Sequence, residues 1–160
     1  MKVLVLDSSG RHSSTVVKII KMVNPSADVT EYPIADKFGS TVNNKLAEGL
    51  AHALFNDYDI INISMGLKYP NTEVKSLIDR LVSKGVIICS ASGNNIESYP
   101  ASYDNVISVG ACDSMGNKTE YTMNNYDVLA LGEIVIDDIT YRGTSFSCAY
   151  FVGMLSKIGR

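Results

Sequence analysis

A chain of 160 residues can bury one hydrophobic core without help from disulfides or metals. With 46% hydrophobic and 19% charged residues it is too apolar for a disordered segment, and no stretch reaches the roughly 20 apolar residues of a membrane helix. A net charge of -3, a pI near 5.3 and the lack of any Lys/Arg block argue against nucleic acid as a partner.

The predicted elements alternate from the start. Residues 3–7 are a short apolar, β-branched run that reads as a buried strand, and Ser8-Ser9-Gly10 is a turn signal behind it. Val16, Ile19, Ile20 and Val23 recur at helical spacing, with Ser13 or Ser14 as the expected cap and Asn24-Pro25 as the stop. Residues 27–34 read as a second strand. A helix is expected to open at Ser40 or Thr41, with Val42, Leu46, Leu50, Ala53 and Leu54 on its apolar face. Residues 59–63 form a third strand. The next helix, capped by Asn71 or Thr72, carries Val74, Leu77, Ile78 and Leu81 on one face and is followed by Gly85. Residues 86–89 and 106–109 are the fourth and fifth strands. Residues 126–131 and 134–141 read as shorter strands, with a hairpin turn at Asp137-Asp138. From Thr144 or Ser145 the chain is helical to its end. Repeats, low-complexity tracts and linkers are absent, so residues 1–160 read as one domain.

Strands separated by helices imply βαβ units: an α/β fold of three layers, with a mostly parallel sheet and helices on both faces. Ligands and catalytic groups gather at the carboxyl ends of such strands. Asp7 ends the first strand and His12 begins the helix after it. Ser64-Met65-Gly66 follows the third strand, Ser92-Gly93-Asn94 the fourth, and Gly143-Thr144-Ser145 opens the last helix. An Asp, a His and a Ser can form a nucleophilic triad, and a serine at a helix N-terminus presents its N–H to a developing oxyanion. Taken singly each residue has a plainer reading. Ser145 could be a helix cap, Asp7 and Asn94 turn residues, and Ser64 and Gly66 the end of a strand. His52, in mid-helix, reads as structural, Glu97 as a solvated loop residue and Cys148 as core. A nucleotide site is a poor match, because Ser8-Ser9-Gly10-Arg11-His12 fits neither G-x-G-x-x-G nor the P-loop.

The motifs taken together resemble the subtilisin-like serine proteases. The run from Gly143 through Thr144, Ser145, Phe146, Ser147, Cys148 and Ala149 to Gly153 is similar to that family's nucleophile motif, usually GTSMASPHVAG. Residues 86–94 resemble the strand that delivers its oxyanion Asn, and residues 59–66 the substrate-binding strand that usually ends NMSLG. Tyr99-Pro100-Ala101 with residues 106–111 matches the following segment. Residues 3–8 resemble the strand bearing the catalytic Asp, and residues 12–17 the HGTHVA segment. The order Asp, His, Asn, Ser is the family's order. The resemblance implies a serine endopeptidase that works through an acyl-enzyme, with Ser145 as nucleophile, His12 as base, Asp7 as its orienting partner and Asn94 in the oxyanion hole. It further implies Ser64, Met65, Gly66, Ser92 and Gly93 as the surface for an extended peptide, with Ser98 near the pocket for the side chain before the scissile bond.

The chain also departs from the pattern. Only Ser8-Ser9-Gly10-Arg11 separates Asp7 from His12, where relatives carry a long connection and often calcium ligands. Four residues suffice for a tight turn, and Gly10 can adopt the positive φ it requires. Thr15 replaces the second His of HGTH, and Ala149 the Pro after the nucleophile. Neither a metal nor a cofactor is expected. The missing loops leave open an alternative, a catalytically weak pseudoprotease acting as a peptide-binding module. The three cysteines, Cys89, Cys112 and Cys148, lack zinc-finger spacing and are expected as buried free thiols. With no signal-peptide run at the N-terminus, they point to a reducing, cytoplasmic setting.

Overall fold

The computed structural model describes residues 1–36 and 43–159. It contains β1 (Lys2–Ser8), α1 (Arg11–Val23), β2 (Asp28–Ala35), α2 (Asn43–Leu54), β3 (Ile60–Ile63), α3 (Thr72–Ser83), β4 (Ile87–Ala91), β5 (Ile107–Cys112), β6 (Val128–Leu131), β7 (Glu133–Ile136), β8 (Ile139–Arg142) and α4 (Thr144–Ile158). Six strands form one sheet in the order β2-β1-β3-β4-β5-β6, and all five pairings are parallel. β7 and β8 form a separate antiparallel hairpin.

Right-handed crossovers decide which face each helix covers. The chain steps from β1 outward to β2, then turns back past β1 to β3, so the helix between β2 and β3 falls on the opposite face from α1. The two cores follow this division. Val3, Val5, Ile60 and Cys89 face Val16, Ile19 and Ile20 of α1 and Cys148, Ala149 and Val152 of α4. Leu4, Leu6, Ile61, Ile63 and Ile88 face Leu46 and Leu50 of α2 and Val74, Ile78 and Leu81 of α3. Both faces of the central strands are covered, which is why residues 3–6 are uninterrupted apolar residues rather than an alternating set. The reversal between β1 and β3 opens a crevice at their carboxyl ends, the place where parallel sheets bind ligands.

The expected α/β layering stands, with local corrections. Neither Ser13 nor Ser14 caps α1. The helix begins at Arg11 behind Gly10, whose φ of 98° fits the short turn after β1. Ser13 is instead buried with its hydroxyl on Glu31, and Ser14 donates back to the Gly10 carbonyl. Asn71 caps α3 by accepting from Val74 N at 3.0 Å. Asp137 and Asp138 both take positive φ, 51° and 62°, as a two-residue hairpin turn demands. The expected opening of α2 at Ser40 or Thr41, with Val42 on its face, lies outside the described residues. Cys112 is only half-buried, so its thiol is free but not part of the core as Cys89 and Cys148 are.

Candidate functional site

Asp7, at the end of β1, is 1% exposed, and its carboxylate meets two donors. Ser8 N approaches Oδ1 at 2.6 Å, while His12 Nδ1 lies 2.8 Å from Oδ1 and 2.9 Å from Oδ2. His12 is the second residue of α1, so the two-residue turn at Ser9-Gly10 folds it straight back over the strand end. A carboxylate only accepts, so Nδ1 must carry the proton and Nε2 of the neutral ring keeps a lone pair. The hydrogen bond to Asp7 raises the His12 pKa above 6.5, and the Asp7 charge adds to this against the opposing effect of burial.

Ser145 sits in the first turn of α4. Its Oγ donates to the Ser64 carbonyl at 2.9 Å, immediately beyond β3. Among the described residues no hydrogen bond joins Ser145 to His12. Phe146, next to Ser145, links the two, its ring 5.4 Å from the His12 ring. Asn94 follows β4 and locks onto the same helix end, with Oδ1 accepting from Thr144 N and Thr144 Oγ1, both at 3.0 Å. A backbone N–H can meet only the oxygen of the amide, and among the described residues Nδ2 makes no hydrogen bond. The Phe146 and Ser147 N–H groups bond to the Gly143 carbonyl. Among the described residues the Ser145 N–H is left without an acceptor, as helix first turns allow. Asn94 and Ser145 thus meet at the N-terminal end of α4, and both line the same cavity.

Beside them is a cavity of about 190 Å³ lined by Ser64, Met65, Gly66, Gly93, Asn94, Ile96, Ser98 and Ser145, among others. Its two walls are tied by reciprocal bonds between Leu67 and Tyr99, 2.6 and 2.9 Å long. A Cβ on Gly66 would stand 2.5 Å from the Ser98 Cβ, so Gly66 is what lets the walls meet. Of the sequence-derived surface residues, Ser64, Met65, Gly66 and Gly93 line this cavity. Ser92 does not. It lies one residue beyond β4 and is 2% exposed, with its hydroxyl without a protein partner among the described residues. Glu97 is exposed. His52 lies in α2, in contact with Tyr58 and Tyr32 and remote from the site. Sequence reasoning missed Phe146, Ile96 and Thr144. For Thr144 the GTS motif was the available signal. Phe146 and Ile96 show themselves only by contact. Burial pushes the Cys89 thiol up to about 12 and raises the Cys148 thiol in the same direction, which leaves both unreactive. Among the described residues no group of three or more His, Cys, Asp or Glu side chains could hold a metal ion, and no helix is long and apolar enough to cross a membrane.

A family model described as the subtilase family matches residues 8–158. The chain belongs to the subtilase family. Subtilases are serine proteases, and curated relatives of this chain are named subtilisins. Subtilisin amylosacchariticus from Bacillus subtilis subsp. amylosacchariticus is 29% identical over 151 residues, covering 85% of this chain and 40% of that protein. Subtilisin Savinase from Lederbergia lenta is 31% identical over 130 residues, covering 78% of this chain and 48% of that protein. This subtilase thus spans less than half the length of those two relatives. Solved structures share its fold. The prenylagaramide maturation protease PagA superposes with a TM-score of 0.85 at 22% identity, over 100% of this chain and 77% of that one. The protease domain of PatA gives 0.84 at 21% identity, over 96% and 76%. The matched family span begins one residue after Asp7, so the case for Asp7 rests on its contact with His12.

Proposed function

We propose that this subtilase is a serine endopeptidase in which residues 1–160 act as one minimal catalytic domain, with Asp7, His12 and Ser145 as its triad. The observation that carries the reading is the Asp7–His12 pair, which leaves Nε2 as the basic nitrogen at the same sheet end as the Ser145 hydroxyl. An extended peptide pairs with the 64–66 segment as an added strand, its side chain entering the cavity beside Ser98. The peptide's N–H then competes for the Ser64 carbonyl and releases the Ser145 Oγ, which turns to His12. Ser145 Oγ attacks the scissile carbonyl carbon as His12 Nε2 takes its proton, and the carbonyl oxygen becomes an oxyanion held by Asn94 Nδ2 and the Ser145 N–H. The C–N bond breaks as His12 returns the proton to the leaving amine. Water, activated by the same nitrogen, hydrolyses the acyl-enzyme. Asp7 fixes the tautomer and stabilises the imidazolium.

A fluorophosphonate probe tests the reading directly. Covalent labelling that maps to Ser145 and vanishes in Ser145→Ala is expected, together with cleavage of a peptide library by the wild-type chain alone. One observation favours a second reading, a peptide-binding pseudoprotease: Ser145 Oγ rests on a main-chain carbonyl instead of the base. That reading predicts peptide binding without labelling. The free thiols of Cys89, Cys112 and Cys148 favour a reducing, cytoplasmic setting for either activity.

A further inference from the structure

We infer that Phe146 and Tyr141 form an aromatic buttress that holds the His12 ring in its working plane, which makes both of them positioning residues. The inference rests on the reading of His12 as the base. The Phe146 and His12 rings lie 5.4 Å apart, centroid to centroid, at 43°. Tyr141 in turn meets Phe146 nearly edge-on, at 5.5 Å and 64°. Both separations lie within the contact range of aromatic pairs. The rings come from three elements: His12 from α1, Phe146 from α4 beside Ser145, and Tyr141 from β8 of the hairpin.

His12 has a need for such a support. Asp7 grips the ring at Nδ1 alone, and 38% of the side chain is exposed, so the imidazole could rock about that one contact. A second surface against the ring removes that freedom and fixes the direction of Nε2. Part of the inference is that the negative face of the Phe146 ring is turned to the imidazole, where it favours the imidazolium over the neutral ring. The imidazolium forms only as Ser145 gives up its proton, so the contact strengthens toward the transition state and acts on kcat more than KM. The charge of Asp7 acts in the same direction, and the ring contact adds to it. Asp7 on β1 is the group whose charge acts on His12, while Glu133 and Arg142 of the hairpin pair with each other at 3.2 Å. The family motif has a flexible Met where this chain has Phe146, so the flat face belongs to this sequence.

The chain holds two histidines, so imidazole NMR resolves His12 once His52→Ala assigns the other signal. In folded Phe146→Leu we expect the His12 titration midpoint to move to lower pH and the Nδ1 proton to exchange faster. On a peptide substrate kcat should fall roughly 3- to 10-fold with KM held within about twofold. Tyr141→Leu should show a smaller change in the same direction, and Tyr141→Phe should restore the wild-type signals, since the ring edge and not the hydroxyl makes the contact. If Phe146→Leu does not fold, the Tyr141 pair on the hairpin carries the same decision. Wild-type titration and proton exchange in folded Phe146→Leu, or in Tyr141→Leu in its place, would overturn the inference even if turnover fell. The imidazole signals need no turnover, so a wild-type chain that cleaves nothing defeats the proposed endopeptidase while the buttress is still decided.

Discussion

Replacing Asn94 tests its proposed oxyanion role apart from its structural one. Its Oδ1 serves Thr144 N and Thr144 Oγ1, and Thr144 is 1% exposed. Asn94→Ala strands the buried Thr144 N–H, at about 1–3 kcal/mol, because the hydroxyl can turn elsewhere but the backbone cannot. For a domain of this size each kcal/mol lowers Tm by roughly 2–4 °C, so the variant should melt several degrees early. It also loses the Nδ2 donor, which should lower kcat about 10²–10³-fold, a range known from a subtilisin relative. Asn94→Asp keeps an acceptor for Thr144 while placing a charged oxygen where the donor stood. It should therefore retain more of the melting temperature than Asn94→Ala yet lose at least as much rate. Thermal melts and kcat on one peptide substrate, run in parallel, distinguish the two roles. A folded Asn94→Asp that turns over at the wild-type rate would refute the oxyanion assignment.

Two further outcomes follow from the site. His12 must be neutral to accept a proton, and its pKa is raised above 6.5 by Asp7, so a kcat/KM profile should fall on acidification with a midpoint above 6.5. The stability supplied by the pair runs the other way: it is fully present below about pH 6.5 and is lost as pH rises through the folded-state value. Melts of wild type against His12→Ala across that window should therefore show the larger difference at the acid end, and a larger one at alkaline pH would contradict the Asp7–His12 contact. Gly66→Ala should raise KM by about tenfold, since the added Cβ meets the Ser98 side chain at 2.5–2.6 Å between walls tied by Leu67 and Tyr99. Adding Ser98→Gly should recover most of the loss, and steady-state kinetics showing an unchanged KM in the single variant would remove this cavity from substrate binding.

The layering was legible because hydrophobic period and turn chemistry are local. Residues 3–6, buried on both faces, carry an unbroken apolar run, and the Asp137-Asp138 turn could be read from residue type alone. The cap of α1 was misassigned for a local reason: Ser13 and Ser14 are good caps in isolation, but the tight turn needed Gly10, which offers no side chain. The triad candidates were legible through the order and spacing of their motifs. What the sequence could not carry were relations between distant segments. The Ser145 hydroxyl bonds across 81 positions to Ser64, and Asn94 bonds across 50 to Thr144. The motif put Ser92 beside Gly93 and Asn94, but only those two line the cavity, while Ser92 is buried.

The most direct test of the account is turnover of a single peptide by five purified chains, each checked for folding by circular dichroism: wild type, Asp7→Asn, His12→Ala, Ser145→Ala and His52→Ala. Ser145→Ala and His12→Ala should fall to background, and Asp7→Asn should lose about 10⁴-fold through the wrong imidazole tautomer. His52→Ala should keep near-wild-type turnover, because that ring sits in α2 against Tyr58 and Tyr32 on the far side of the sheet. A folded His12→Ala with near-normal turnover beside an inactive His52→Ala, or cleavage that survives in Ser145→Ala, would contradict the triad.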